Sequence, residues 1–439
     1  MPTTCIAVDI GASSGRLIAG WIENNKLQIK EIHRFPNGMI KRDGHYYWEI
    51  DRLFGEIQAG LAKIDTPYAS VGIDTWGVDY ALLDERDNRL GEVYAYRDHR
   101  TDGYPDKIDK EAVYQRSGLQ FNLFNTLFQL MAHEPKGAAH FLTVPDYLHY
   151  RLCGVKACEL SIASTTQLLD VHTGDWDPEL VAMTGFPMEM FPKVVAPGTV
   201  LGDMLDKPGV KVIMPASHDT GSAVAAVPAT EGSFAYISSG TWSLMGIESD
   251  KPCLLSQTFT NERGVFGTYR ILKNIMGLWM LQEVRRLWPE KLSFAQLEEM
   301  AAASDFAPIV DVADNRFLSP ESMIEEIKNA CREQGGPVPE TAGEMTRCIY
   351  NSLAESYRLT LEQIREFAPV DRIHIIGGGS QDNYLNRLTA EKTGCKVIAG
   401  PTEATAIGNL LMQMIALGEI KDLAEGRKLV ADSFALKEF

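Results

Sequence analysis

An aspartate followed by a run of small residues stands near the start of the chain. Asp9 is the last residue but one of the mainly apolar stretch CIAVDI, and residues 11–15 (GASSG) and Arg16 follow. Backbone N–H groups and small hydroxyls in such a turn leave room for a phosphate group, and Arg16 adds a positive charge. Mg²⁺ keeps several waters and takes one or two carboxylates, so we expect Asp9 to hold a magnesium ion through water. Taken alone, the pattern is more typical of a plain β-hairpin.

Two further turns of small residues lie in the second half of the chain. SSGTWSL, residues 238–244, repeats the pattern found at the start of the chain, in which a small polar turn joins two strands. In IIGGGSQDNYLNRL, Gly377, Gly378 and Gly379 open into a helix and allow close approach of a base or ribose. Three such turns in this order favour a nucleotide site. GxxxxGK[ST] and GxGxxG are both absent, which excludes a P-loop and the usual dinucleotide fingerprint.

The block SHDTGSAV carries a candidate general base. Asp219 is preceded by His218 and followed by Thr220, Gly221 and Ser222, which fits the start of a helix. The positive end of a helix dipole favours an ionised carboxylate there. Phosphoryl transfer asks for positioning, charge stabilisation and one carboxylate near the nucleophile. An ordinary N-cap aspartate is the alternative, and only the other motifs decide against it.

The elements that must position these residues follow from the apolar pattern. The first 35 residues read as three strands with a turn at Asn24 and Asn25, and an amphipathic helix is predicted over about 51–64. A buried strand in SVGIDTW and a long helix in AGEMTRCIYNSLAESYRLTLEQIREF follow. Residues 372–416 read as strand, turn, helix, strand and helix, which implies parallel pairing with ligands beyond the carboxyl ends of the strands.

The length and the repeated hairpin predict two domains with a cleft between them. A chain of 439 residues exceeds one hydrophobic core, so we expect two domains of about 200 residues each. The segment PATEG breaks the pattern near 227–232. We therefore place an N-terminal domain at 1–227, a C-terminal domain at 228–425 and a tail at 426–439, with the two domains arising by internal duplication.

Composition excludes several classes of function. A net charge of −17 without a Lys/Arg-rich run argues against nucleic acid as a partner. No apolar run approaches a membrane span, and the N-terminus lacks a signal-peptide pattern, so we expect a cytoplasmic protein. Seven cysteines without CxxC or metal spacing read as buried thiols, with contact between Cys331 and Cys348 left open. A monomer and a dimer both stay open.

Several sequence blocks together resemble the FGGY-type carbohydrate kinases. The resemblance runs from about Cys5 to Gly418 and rests on AVDIGASSGR, GIDTWGVDYALLD, AYRDHRT, PASHDTGSAV, YISSGTWSLMG, LKNIMGLWMLQ and HIIGGGSQDNYLNRLTA. IDTWGVD and NIMGLWMLQ resemble most closely the members that act on L-rhamnulose. The resemblance implies an α/β fold of two ribonuclease-H-like domains of the actin, hexokinase and Hsp70 superfamily, with an interdomain cleft.

The resemblance also implies roles for individual residues. Asp219 would be the general base, and the sugar would contact Gly77, His218, Thr220 and Asn274. The predicted ATP contacts are Ala12, Ser13, Ser14, Gly15, Arg16, Thr241, Gln282 and Gly378, beside the turn glycines Gly377 and Gly379. We add four residues as sugar contacts, because an indole face suits a deoxy-sugar's methyl end and carboxylates accept hydroxyls: Trp76, Asp79, Arg97 and Asp98. Core packing is the alternative for Trp76.

The activity implied is ATP-dependent phosphorylation of the first-carbon hydroxyl of L-rhamnulose, with Mg²⁺ as cofactor. Another ketose such as L-fuculose would differ only in the stereochemistry of its hydroxyls, so it stays an alternative substrate. An ATP-driven switch resembling actin or an Hsp70 nucleotide domain would need no base facing a sugar, and SHDT counts against it. A regulatory sugar sensor that has lost transfer is the third alternative, against which the presence of both Asp9 and Asp219 counts.

Overall fold

The computed structural model describes residues 2–230 and 232–439. In chain order its strands are β1 Cys5–Ile10, β2 Ser14–Glu23, β3 Lys26–Pro36, β4 Ile40–Arg42, β5 His45–Trp48, β6 Ser70–Thr75, β7 Tyr80–Leu83, β8 Val93–Tyr94, β9 His140–Thr143, β10 Cys158–Glu159, β11 Val194–Val195, β12 Val200–Met204, β13 Lys207–Ile213, β14 Phe234–Ser239, β15 Trp242–Ser249, β16 Thr260–Arg263, β17 Tyr269–Met276, β18 Arg372–Ile376, β19 Lys396–Ala399 and β20 Lys437–Glu438. The α-helices are α1 Ile50–Leu61, α2 Lys110–Ser117, α3 Thr126–Met131, α4 Val144–Cys153, α5 Leu160–Ala163, α6 Pro178–Met183, α7 Asp219–Ala225, α8 Trp279–Leu287, α9 Phe294–Ala302, α10 Met323–Glu333, α11 Ala342–Arg365, α12 Asn383–Thr393, α13 Ala404–Ala416 and α14 Leu423–Ser433.

The chain forms two compact units. The first unit consists of Met1–Pro228, Glu248–Leu272 and Ala404–Ser433, and the second of Ala229–Ile247, Lys273–Glu403 and Phe434–Phe439. These units differ from the domain boundaries drawn on the sequence, because α13 and α14 and the β16 hairpin belong to the first unit. The close fit of α13 explains its place: a Cβ on Gly20 of β2 would lie 2.4 Å from Leu410 Cδ1.

The sheet of the first unit carries the opening motif at its centre. Its strand order is β12-β13-β6-β1-β2-β3. β1 pairs antiparallel with β2 and parallel with β6, and every residue of β1 and β6 is buried. Strands covered on both faces are mostly apolar, as CIAVDI is apart from Asp9. The predicted turn between β2 and β3 is confirmed, with Asn24 and Asn25 both at positive φ.

The second unit contains the parallel pairing that the sequence predicts. β14 and β18 are parallel, as are β18 and β19, and the order of these strands is β15-β14-β18-β19-β20. β17, from Lys273 onward, lies next to β15. The long helix is also confirmed as α11, which begins with a capping box between Thr341 and Glu344.

The cysteines agree with the expectation drawn from the sequence. The cysteines are free thiols, most of them buried, and Cys331 Sγ lies 4.0 Å from Cys348 Sγ. Among the residues described, no helix combines the length and the apolar character that crossing a bilayer requires.

Candidate active site

Three aspartates of the first unit, Asp9, Asp74 and Asp219, lie close enough together for their charges to interact. The parallel register places Asp9 of β1 directly beside Asp74 of β6, and Asp219 is the first residue of α7. Asp9 Oδ2 accepts hydrogen bonds from Arg16 Nε (3.0 Å) and Nη2 (2.7 Å). Asp74 is fully buried, and its Oδ2 accepts from Asn409 Nδ2 of α13 at 2.6 Å. The sequence analysis found Asp9 and Asp219 but missed Asp74.

The surroundings of Asp74 and Asp219 favour the neutral forms of their carboxyl groups. Burial, followed by the negative charge of Asp9, raises the pKa of Asp74 well above its ordinary value. The side chain of Asp219 keeps 30% of its surface exposed. Loss of surrounding water still raises its pKa, the charge of His218 lowers it, and the charge of Asp9 raises it again. The group is therefore a stronger base than a free aspartate.

A divalent cation fits this end of the sheet, although the protein alone would not enclose it. Asp74 Oδ1 is buried and has no hydrogen-bond partner among the described residues, and Asp9 adds a second carboxylate. Across residues 2–230 and 232–439, no group of three or more His, Cys, Asp or Glu forms a metal site by itself. A site with few protein ligands suits Mg²⁺, which keeps waters and binds substrate phosphates.

The imidazole of His218 lies between Asp219 and an ion pair. Its Nε2 is 3.5 Å from Asp219 Oδ1, and its Nδ1 is 3.1 Å from Arg270 Nη2 and 3.0 Å from Glu262 Oε2. Arg270 and Glu262 face each other across the β16–β17 hairpin. Both residues were missed from the sequence, in which Gly264 and Gly267 of NERGVFGTYR mark the turn between the two facing strands.

A buried glutamate holds the segment that leads into α7. Glu159 Oε2 accepts from Ser217 N at 2.8 Å and from Ser161 Oγ at 2.5 Å. Ser161 Oγ in turn accepts from His218 N at 3.2 Å, and Thr75 N donates to Ser217 O at 2.9 Å. Glu159 was also missed from the sequence. It fixes the backbone immediately before Asp219.

Asp79, predicted as a sugar contact, is occupied by donors from the protein. Its Oδ2 accepts from Trp48 Nε1 (2.6 Å), Trp76 Nε1 (2.9 Å) and Tyr96 N (3.1 Å), and its Oδ1 accepts from Gln129 Nε2 (2.9 Å). Burial raises the pKa of Asp79 to about 6, and these hydrogen bonds limit the rise. Trp76 stacks on Trp48 with ring centroids 4.2 Å apart and is buried.

Gly77 and Val78 form a tight turn beneath this cluster. A Cβ on Gly77 would meet the Thr165 side chain at 3.0 Å. Val78 has a φ of 68°, which is unusual for a β-branched residue. Thr165 Oγ1 accepts from Val78 N at 3.1 Å, and Thr126 Oγ1 donates to Val78 O at 2.6 Å. Gly77 is therefore explained by packing, and its predicted contact with a sugar stays a prediction.

Asp98 and Arg97 likewise have partners within the first unit. Asp98 is buried, and it accepts from His45 Nδ1 (3.0 Å), Tyr46 N (2.8 Å) and Arg100 N (3.0 Å). The guanidinium of Arg97 is buried and lies 5.2 Å from the centroid of the Tyr96 ring. These contacts support the loop after β8, so a role in sugar binding stays a prediction for both residues.

The predicted phosphate turn between β1 and β2 is small because of its packing. Gly11 N donates to Ser14 O at 2.9 Å, and Asn37 Nδ2 donates to Gly11 O at 2.8 Å. A Cβ on Gly15 would lie 2.2 Å from the Phe35 ring. Gly15 is therefore required for the contact with Phe35. Ser13 is exposed, and Ala12, Ser14 and Arg16 are partly exposed, so these residues are accessible to a ligand.

The second unit brings two of the predicted nucleotide turns together. Gly377 has a φ of 82°, and a Cβ there would lie 3.0 Å from Ser239 O at the end of β14. A Cβ on Gly379 would lie 2.0 Å from Ser239 Oγ. Gly378 is exposed, and apart from its chain neighbours no described atom lies within 4 Å of its Cβ position. Of the three glycines, Gly378 is exposed, Gly377 is partly exposed and Gly379 is buried.

The start of α8 contacts the same turn. Leu278 N donates to Gly240 O at 3.0 Å, and Trp279 N donates to Thr241 O at 3.1 Å. Gln282, one turn further along α8, is partly exposed, as is Thr241. Asn274, a predicted sugar contact, lies on β17 of the second unit and is also partly exposed. The predicted sugar contacts therefore fall in both units.

Comparison with known proteins identifies the class of the chain. Residues 4–223 match the N-terminal domain of the FGGY family of carbohydrate kinases, and residues 235–417 match the C-terminal domain of that family. The chain belongs to the FGGY family of carbohydrate kinases and is a sugar kinase, an enzyme that transfers a phosphoryl group from ATP to a sugar. The resemblance found in the motifs is thereby confirmed.

Particular relatives are similar over nearly the whole chain. The rhamnulokinase of Oceanobacillus iheyensis is 47% identical over 456 residues, covering 98% of this chain and 97% of that protein. The rhamnulokinase of Bacillus subtilis is 46% identical, with coverages of 99% and 94%.

Solved structures of sugar kinases share the fold. Gluconate kinase from Lactobacillus acidophilus has a TM-score of 0.82 at 16% identity, covering 100% of this chain and 94% of that chain. Xylulose kinase from the same organism has a TM-score of 0.79 at 15% identity, with coverages of 100% and 93%. The predicted α/β fold is confirmed and is shared with these sugar kinases.

Proposed function

We propose that the protein phosphorylates the first-carbon hydroxyl of L-rhamnulose with Mg²⁺–ATP, and that Asp219 is the general base. The observation that carries the catalytic part is the place of Asp219 at the start of α7, beside His218 and electrostatically coupled to Asp9. The choice of L-rhamnulose is supported by the two rhamnulokinases that are 46–47% identical to the chain.

In the proposed reaction, Asp219 removes the proton of the sugar hydroxyl as that oxygen attacks the γ-phosphorus of ATP. The raised pKa of Asp219 increases its affinity for this proton, while the N-terminus of α7 keeps the carboxylate form accessible. Thr220 N donates to Asp219 Oδ1 at 2.6 Å, which leaves Oδ2 to face the hydroxyl. The proton then rests on Asp219, and ADP leaves.

The negative charge of the phosphates would be compensated by groups at the end of β1 and in the turn that follows it. Mg²⁺, when bound, would offset the negative charge that develops on the phosphates during transfer. Asp9 would hold that ion through water, since its Oδ2 is already shared with Arg16 and Mg²⁺ retains waters readily. Backbone N–H groups of residues 12–14 would donate to the phosphate oxygens.

A coupled ADP-release assay tests the function and the substrate together. Purified protein with Mg²⁺–ATP is given L-rhamnulose, L-fuculose, D-xylulose, L-ribulose, glycerol or no sugar. We expect ADP release that depends on L-rhamnulose. Release that depends on L-fuculose instead would replace the substrate and keep the kinase. Equal release in every well, including the blank, would favour an ATP-driven switch and reduce Asp219 to a helix-terminal residue.

Asp219→Asn tests the proposed base. The amide retains the shape and the Oδ1 acceptor for Thr220 N but cannot take a proton. We expect kcat to fall by about 100-fold or more, with little change in the affinity for ATP measured by titration calorimetry. Ser222→Ala, which removes only a hydroxyl that donates to Ala216 O from the same helix, is the matched control and should retain most of kcat. Near-normal turnover of Asp219→Asn would place the base elsewhere.

Asp9→Asn tests the proposed magnesium site. The substitution removes one negative charge beside Arg16 and Asp74, so we expect a higher Mg²⁺ concentration for half-maximal rate, with the KM for sugar little changed. Mg²⁺-dependent ATP binding measured by calorimetry gives the same comparison without turnover. An unchanged Mg²⁺ titration would remove Asp9 from the metal site.

A further inference from the structure

His218 meets a different kind of partner at each ring nitrogen. Nε2 faces Asp219 Oδ1 at 3.5 Å, and Nδ1 faces the Arg270–Glu262 pair, whose Nη2 and Oε2 are 2.9 Å apart. The side chains of His218, Glu262 and Arg270 are all buried, and Arg270 is fully so. A buried arginine costs stability unless it is paired, so a fully buried one directly behind the proposed base calls for an explanation.

The hydrogen-bond geometry selects one tautomer of His218. Arg270 Nη2 lies 3.1 Å from His218 Nδ1 in hydrogen-bonding geometry, whereas Glu262 Oε2, 3.0 Å from the same nitrogen, has no hydrogen-bond partner among the described residues. A guanidinium only donates, and a neutral imidazole carries a single N–H. With Nδ1 accepting from Arg270, the ring proton of His218 is on Nε2, the nitrogen that faces Asp219.

The β16–β17 hairpin holds the ion pair rigidly. Glu262 and Arg270 are directly opposite in the antiparallel register, where cross-strand charge pairs stabilise each other. Arg270 Nε donates to Arg263 O at 3.0 Å, which fixes the plane of the guanidinium. Glu262 Oε2 lies 2.9 Å from Arg270 Nη2 and both side chains are buried, so the two opposite charges compensate each other. Glu262 therefore remains a counter-ion for Arg270.

We propose that Arg270, with Glu262 as its counter-ion, is a positioning residue that fixes the orientation and tautomer of His218, so that Nε2–H points toward Asp219. The catalytic consequence rests on the proposed role of Asp219 as base. A proton donor facing Oδ1 keeps the carboxylate in one orientation and leaves Oδ2 for the sugar hydroxyl. Neither Arg270 nor Glu262 contacts Asp219 directly through a described hydrogen bond or ion pair, so both would act through His218.

The tautomer of His218 is measured without turnover. Protein labelled with ¹⁵N-histidine is studied by NMR at a pH where the ring is neutral, and His218→Gln assigns the signals of this ring. We expect the Nε2–H tautomer in the wild type. In Arg270→Met, Glu262 becomes the acceptor next to Nδ1, so the proton should move to Nδ1. Arg270→Lys retains a donor and should keep the Nε2–H tautomer.

A second variant covers the case that Arg270→Met does not fold. Arg270→Met leaves Glu262 as a buried unpaired charge, which destabilises proteins strongly. The double variant Glu262→Gln with Arg270→Met removes both charges, and the amide oxygen of Gln still accepts from Nδ1, so the same change of tautomer is expected. The control is Arg116→Lys, because Arg116 pairs with the buried Asp177 at 2.8 Å elsewhere in the first unit. It should leave His218 unchanged.

Kinetics of the same variants separate the two proposals. If the wild type shows sugar-dependent ADP release, we expect the double variant to lose about 10- to 100-fold in kcat with an unchanged KM for ATP, and Arg116→Lys to lose nothing. Wild type carrying Nδ1–H, or a double variant that keeps both the Nε2–H tautomer and its kcat, would overturn the role of Arg270. Wild type without sugar-dependent release but with a tautomer controlled by Arg270 would overturn the proposed function alone.

Discussion

Replacing Gly379 with alanine should disrupt the turn at the end of β18 through a collision that the structure defines atom by atom. The new Cβ would lie 2.0 Å from Ser239 Oγ and 2.6 Å from Ser239 Cβ. Ser239 is buried, so its side chain has little room to move away. Since a carbon–oxygen contact needs about 3.3 Å, the turn and β14 would have to separate by roughly 1.3 Å.

The expected size of the effect follows from this overlap. Overpacking of this kind typically costs about 1–3 kcal/mol. For domains of roughly 150–250 residues, each kcal/mol lowers Tm by about 2–4 °C. We therefore expect Gly379→Ala to lower the Tm of the second unit by roughly 2–12 °C, measured by differential scanning calorimetry without nucleotide.

Gly378→Ala is the matched control one residue away. Its Cβ would meet no described atom within 4 Å apart from its chain neighbours, so we expect Tm to change by less than about 1 °C. If Gly378 contacts ATP, the same methyl group raises the KM for ATP. The neighbouring alanine substitutions thus separate stability at Gly379 from nucleotide affinity at Gly378.

A rescue experiment identifies Ser239 as the cause. Ser239→Gly removes both colliding atoms, so adding Gly379→Ala to it should cost far less than adding it to the wild type. The double-mutant cycle should show a favourable coupling of about 1 kcal/mol or more. A Gly379→Ala protein that melts like the wild type, or one whose defect Ser239→Gly does not reduce, would refute the packing argument.

Two further predictions concern buried carboxylates of the first unit. Asp79 has a folded-state pKa raised to about 6, so the stability that it contributes is largest below about pH 4 and declines as the pH rises to 6. In urea titrations, the loss of stability caused by Asp79→Asn should therefore shrink by up to about 3 kcal/mol over that pH range. A loss that grows with pH would contradict the raised pKa. Glu159→Gln should lower kcat by about tenfold at an unchanged KM for ATP, because the amide can place a donor where the Glu159 carboxylate accepts from Ser217 N. An unaltered kcat would show that this hydrogen bond is dispensable.

The strands and turns near the motifs could be predicted because their causes are local. The strand CIAVDI is mostly apolar, and Asn24 and Asn25 accept positive φ, so both features are written within a few residues. The reason for Gly15 is not local. The sequence suggests a phosphate behind the missing side chain, whereas the structure places the Phe35 ring there. A glycine in the sequence indicates that some group approaches the backbone closely, and only the folded structure identifies that group.

The same ambiguity affects the acidic residues assigned to the sugar. Asp79 and Asp98 lie in blocks rich in aromatic and polar residues. Such residues are as suitable for contacting a bound carbohydrate as for packing against one another. In the structure, indole and backbone N–H groups of the protein already donate to both carboxylates. Because a carboxylate accepts in the same way from a hydroxyl or an indole, residue type alone could not distinguish these partners.

The residues that support Asp219 were missed because they are distant in sequence and ordinary in type. Glu159 precedes Asp219 by 60 positions, and Arg270 follows it by 51. Only the end of β6, the start of α5 and the β16–β17 hairpin bring their atoms to the segment before α7. A motif search finds groups that touch substrate, because their chemistry is restricted to a few residue types. Groups that orient those residues need only the right charge in the right place, which several sequences can supply, so they become visible only when the strands are paired.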